Sequence, residues 1–96
     1  MLEIRPICEN CGKDLANESK FAMICSFECT FCADCVANIL FNVCPNCGGG
    51  FEKRPHRPKE ALLKYPQNPE RYFRPINLNK FKITFLKNNN IDPSER

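Results

Sequence analysis

Only one histidine, His56, and no tryptophan occur in this chain of 96 residues. No glycine-rich phosphate loop, no Gly-x-Ser-x-Gly turn and no His-Glu-x-x-His pair is present. That removes the common signatures of phosphate-binding, acyl-transfer and zinc-hydrolase chemistry. His56 stands between Pro55 and Arg57 with no carboxylate beside it, so it reads as a solvated linker residue, neither base nor ligand. No apolar run approaches the ~20 residues that a membrane-spanning helix needs. The opening Met1-Leu2-Glu3-Ile4-Arg5-Pro6 is neither basic nor a long apolar run, unlike a secretory signal. The expectation is a cytoplasmic, non-catalytic chain whose thiols stay reduced.

What the chain has is cysteine. All eight fall between Cys8 and Cys47, as Cys8-x2-Cys11, Cys25-x3-Cys29, Cys32-x2-Cys35 and Cys44-x2-Cys47. A two-residue gap lets one turn of backbone aim two sulfurs at one ion. An all-cysteine zinc site takes four thiolates at about 2.3 Å, so eight make two sites with none left over. Four disulfides are the alternative, with 105 possible connectivities. Reduced Cys-x-x-Cys pairs read as metal ligands, here for two Zn²⁺; knuckles of this kind also accept iron. Four thiolates around an ion leave no open position for water, which points to structural sites. A segment of about 54 residues is too short to rest comfortably on a hydrophobic core alone, so zinc binding supplies folding energy.

Charge divides the chain at the same place. Residues 1–50 carry three basic and six acidic side chains, and residues 51–96 carry eleven and five. With two dications and eight thiolates, the body stands near −7 while the remainder is +6. We read residues 1–54 as the two-zinc domain and residues 55–96 as a basic, proline-rich, aromatic extension, either free for a partner or packed on the domain.

The expected elements are few. Phe21 to Glu28 suggests a short β-hairpin carrying Cys25 and Cys29. Ala33–Asn42 reads as a helix of two to three turns, with Val36, Ile39 and Leu40 as its buried stripe and Cys35 in its first turn. Glu60–Lys64 suggests a turn or two of helix. Phe81-Lys82-Ile83-Thr84-Phe85 alternates like a half-buried strand. The polar stretch from Asn88 to Arg96 reads as frayed.

The ligand order resembles a RING finger in which Cys29 takes the position usually held by histidine. Cys32-Ala33-Asp34-Cys35, the apolar helix after it and Cys44-Pro45-Asn46-Cys47 carry that likeness. It implies a small metal-bound α+β fold, a RING-like cross-brace or treble-clef zinc domain with one short helix and a short hairpin. In a cross-brace Cys8, Cys11, Cys32 and Cys35 share one zinc, and Cys25, Cys29, Cys44 and Cys47 share the other. Sequential pairing, Cys8/Cys11/Cys25/Cys29 then Cys32/Cys35/Cys44/Cys47, is the rival. The chain also resembles a narrower group, small bacterial proteins known as a domain of unknown function. Met1–Pro6, Cys8-Glu9-Asn10-Cys11, Ile24–Cys32, Cys44–Gly49 and Arg54-Pro55-His56-Arg57-Pro58 carry that resemblance.

Four functional readings follow. The first is a non-catalytic module that presents a surface to another protein. The second is single-strand nucleic-acid binding by Lys53, Arg54, Arg57, Lys59, Lys64, Arg71, Arg74, Lys80 and Lys82, interleaved with Tyr65, Tyr72, Phe73 and Phe81. The third is a zinc-responsive or redox role for reachable thiolates. The fourth is ubiquitin-ligase activity. RING docking surfaces usually have an aliphatic residue just after the first ligand and a basic one just after the last, where this chain has Glu9 and Gly48. On these readings Arg54 and Arg57 are free cations whose joint replacement by alanine leaves folding intact.

Overall fold

The computed structural model describes residues 1–96. Strands β1 (Ala22–Ile24) and β2 (Thr30–Cys32) form an antiparallel hairpin, with Met23 opposite Phe31. Its turn is Cys25–Cys29, closed by Cys25 N–H on Cys29 O and Glu28 N–H on Cys25 O. A third strand, β3 (Glu52–Lys53), pairs antiparallel with the other edge of β1, giving the order β2-β1-β3. The core lies under this sheet, where Leu15, Phe31, Leu40, Val43 and Phe51 are buried. Phe31 and Phe51 meet edge to face at 5.5 Å.

After β2 the chain turns into α1 (Ala33–Cys35), which continues without a break as a π-helical segment (Val36–Leu40). Phe41 N–H closes its wide turn on Val36 O, and Phe41 and Asn42 both take positive φ. The wide turn corrects the expected stripe. Val36 and Leu40 are buried, but Ile39 is rotated off that face and exposed, because five residues rather than four return to one side.

Two short helices follow, α2 (Lys59–Lys64) and α3 (Leu78–Asn88). The second overturns the strand expected at Phe81–Phe85. The Asn77 side chain accepts hydrogen bonds from the backbone N–H groups of Asn79 and Lys80, which caps a helix. Phe81 and Phe85 then stack at i, i+4, and Ile83, between them in sequence, faces solvent. The end of the chain is also held rather than frayed. Arg96 donates to Asn42 O and Gly48 O.

Residues 54–76 are tied to the first fifteen residues by backbone hydrogen bonds: Asn68 N–H to Ile4 O and Arg74 N–H to Glu9 O. The Arg5 guanidinium sits 4.5 Å from the centre of the Tyr72 ring. No helix is long and apolar enough to cross a membrane.

Candidate metal centres

Two loops of the same make present half of the sulfurs. In Cys8-Glu9-Asn10-Cys11-Gly12, Cys8 N–H bonds Lys13 O and Gly12 N–H bonds Cys8 O. In Cys44-Pro45-Asn46-Cys47-Gly48, Cys44 N–H bonds Gly49 O and Gly48 N–H bonds Cys44 O. Gly12 and Gly48 take φ of 78° and 79°, a backbone region that favours glycine. The sequence repeat is therefore a repeat of geometry. The other half comes from the hairpin turn (Cys25, Cys29) and the β2–α1 junction (Cys32, Cys35).

The sulfurs of Cys8, Cys11, Cys32 and Cys35 lie within 4.8 Å of one another, as do those of Cys25, Cys44 and Cys47. Cys29 lies outside this 4.8 Å set but beside it, its Sγ accepting from Asn46 of the Cys44–Cys47 loop. The pairs thus interleave along the chain, and the sequential alternative is absent. The Cys8–Cys35 and Cys11–Cys32 sulfurs are 3.8 Å apart. A tetrahedral ion bonded to four sulfurs at about 2.3 Å needs edges of about 3.8 Å. A disulfide needs about 2.05 Å. The first group therefore fits a thiolate-bound ion, and all eight thiols are free of disulfides.

Electrostatics at both groups suit a bound cation. Hydrogen bonding from the Cys44 thiol, helped by the Asn46 amide and Cys25, pulls the Cys29 thiol down to about 5. Its neighbours move the other way. Burial pushes Cys25 up to about 11, and the bond to Cys29 together with burial pushes Cys44 up. Burial likewise raises Cys35 in the first group. Crowded, buried thiols resist a second negative charge, and a dication removes that resistance. Cys11 and Cys47 are exposed and the other six cysteines are buried, so each centre opens to solvent on one side.

Residues not singled out in the sequence complete the centres. Asn10 Nδ2 donates to Cys35 Sγ and Asn46 Nδ2 donates to Cys29 Sγ, each at 3.4 Å. Each asparagine reaches from its own loop to a sulfur of the facing pair and holds the two halves in register. The shared Cys-x-Asn-Cys-Gly pattern was the signal for them. Glu9 is 3% exposed. Its carboxylate accepts from Thr30 N–H at 2.6 Å and from Arg5 Nη1 at 2.9 Å. Burial pushes its pKa up, against those two bonds.

Of the residues read as a nucleic-acid surface, Arg54 and Phe81 are buried. Arg54 donates to Arg5 O, Leu15 O and Ala16 O at 2.8–2.9 Å. Arg57 donates to Leu2 O and Tyr65 O, and the Asn17 amide brackets its backbone. The expectation that both arginines are free is corrected: they stitch the start of the chain to its middle. His56 is exposed, with Nε2 3.3 Å from Ser19 O.

A protein of Rhizobium meliloti (strain 1021), described as uncharacterized protein R02474, is 52% identical over 75 residues, 78% of this chain and 89% of its own length. No solved structure matches the chain. The family model described as protein of unknown function (DUF1272) matches residues 1–57, the span that holds both cysteine groups, and the chain belongs to that family.

Proposed function

We propose that this chain is a small, non-catalytic, two-zinc module of RING-like cross-brace or treble-clef type that presents a surface to another protein. The observation that carries the reading is the interleaved grouping of the sulfurs, four in the first group and three in the second with Cys29 beside them, and 3.8 Å edges in the first group. Cys8, Cys11, Cys32 and Cys35 would hold one Zn²⁺, and Cys25, Cys29, Cys44 and Cys47 the other. Four thiolates saturate each ion, so zinc would supply cross-links and charge neutralisation, with no open position for a substrate. Asn10 and Asn46 orient the sulfurs they touch.

Ubiquitin-ligase docking fits poorly. The position after the first ligand holds the buried, fully engaged Glu9. Glu9 and Pro45 share a cavity wall with Arg74–Asn77, Lys80 and Phe81, so the end of the chain overlies that face. Nucleic-acid binding loses Arg54 and Phe81 to the interior.

The test is metal content per chain with thermal unfolding before and after a strong chelator. Two zincs, with folding lost on chelation, support the reading. One ion or none with stability unchanged would overturn it, and two irons would replace zinc while keeping the architecture.

A further inference from the structure

The outer flank of α3 has no role in the metal centres. A groove of about 150 Å³ runs between α3 and the end of the π-helical segment, lined by Ile39, Phe41, Leu78, Phe81, Lys82 and Phe85. Phe81 is its buried floor, and Phe41 and Phe85 meet across it at 5.8 Å. In this groove Ile39, Phe41 and Leu78 are 37%, 58% and 64% exposed. Single exposed apolar residues are ordinary; three of them lining one groove mark a contact surface. Small-molecule sites run to about 300–1,000 Å³. This groove is sized for one or two side chains of a macromolecule.

Charge selects among occupants. From Arg71 to Ile91 the chain has five cationic residues and no acidic one. Arg71 pairs with Asp14 at 3.4 Å, while Arg74, Lys80, Lys82 and Lys87 make no ion pair. Arg74 and Lys80 line an adjoining cavity of about 190 Å³ that shares Phe81 with the groove. Lys82 thus stands unpaired in the groove wall, with Arg74 and Lys80 unpaired in the adjoining cavity. A second copy of the chain would set one basic flank against another, which like-charge repulsion disfavours. The groove exposes one aromatic, Phe41, beside the aliphatic Ile39 and Leu78, whereas a single strand needs a run of aromatic faces for stacking.

We propose that this face docks an acidic amphipathic segment of a partner protein, with apolar anchors in the groove and carboxylates on Lys80, Lys82 and Arg74. The proposal rests on the interaction-module reading and names the partner's chemistry. The test pans a phage-displayed peptide library on the metal-loaded full chain. Single peptides are then measured by fluorescence anisotropy against the wild type and the Leu78→Glu, Lys82→Glu double variant. Both replaced side chains are exposed, and an acidic residue in the first turn suits the helix. Metal content and melting temperature are checked to be unchanged. Expected are peptides combining Asp or Glu with Leu or Phe, bound at least about tenfold more weakly by the variant and weakened by salt. Basic peptides, or peptides indifferent to the variant, would overturn the α3 site and leave the module reading standing. Binding of a dT20 oligonucleotide or of anionic phosphatidylserine vesicles, with no peptide enriched, would overturn both. Self-association through this face, abolished by the variant and without peptide binding, would overturn the choice of occupant.

Discussion

Arg54 is 2% exposed and spends its guanidinium on three backbone carbonyls, Arg5 O, Leu15 O and Ala16 O. A charge that is buried and hydrogen-bonded is costly to remove. Arg54→Ala is expected to lower stability by about 3 kcal/mol, read by denaturant unfolding of the metal-loaded chain. Arg54→Lys should recover little, because a single ammonium cannot span three carbonyls set by a planar fork. A melting temperature unchanged by Arg54→Ala would contradict this account. Asn10 and Asn46 act at the same scale. Asn10→Ala is expected to weaken metal binding at the first centre, and Asn46→Ala at the second, each by about tenfold or more. Chelator competition on each variant checks this, since the weakened centre should give up its ion at lower chelator concentration than in the wild type and draw the second ion out with it.

At the scale of elements, α3 separates two readings of one pentapeptide. As a strand, Phe81, Ile83 and Phe85 would share a buried face. As a helix, Phe81 and Phe85 turn inward and Ile83 outward, which the burial pattern follows. Phe81→Ala is therefore expected to cost about 3–5 kcal/mol, while Ile83→Ala should stay within about 0.5 kcal/mol. Asn77→Ala should cost about 1 kcal/mol by removing the cap. Equal losses at Phe81 and Ile83 would favour the strand. The π-helical segment works likewise: its wide turn carries Ile39 out of the core and into the groove wall beside Phe41.

At the scale of the molecule, interleaving makes the two centres interdependent. The first closes a span from Cys8 to Cys35, and the second closes one from Cys25 to Cys47. The hairpin turn and the β2–α1 junction thus sit within both spans. Chelation is expected to give one cooperative loss of structure by circular dichroism, coincident with release of both ions to a zinc indicator. Two well-separated transitions would contradict the interleaved frame. Acidification should act in the same direction. Thiolates bound to an ion must take up protons on release, so the unfolded, metal-free chain binds more protons and stability falls as pH falls. Titration of melting temperature against pH with metal present checks the sign.

The sequence by itself determined the candidate ligand set, because ligand chemistry is local: four close cysteine pairs declare themselves by spacing. It also determined the two matching loops and the hairpin at Cys25–Cys29, since glycine placement and short-range bonding need no distant partner. The tertiary structure decided what depends on partners far along the chain. Both pairings use the same four cysteine pairs, so only the packed chain selects the interleaved one. A guanidinium carries no mark of where it will lie, so only the fold distinguishes the interior Arg54 from the exposed Lys53 beside it. Five residues of alternating polarity fit a strand or one side of a helix, and the Asn77 cap with the aromatic floor beneath α3 settled which.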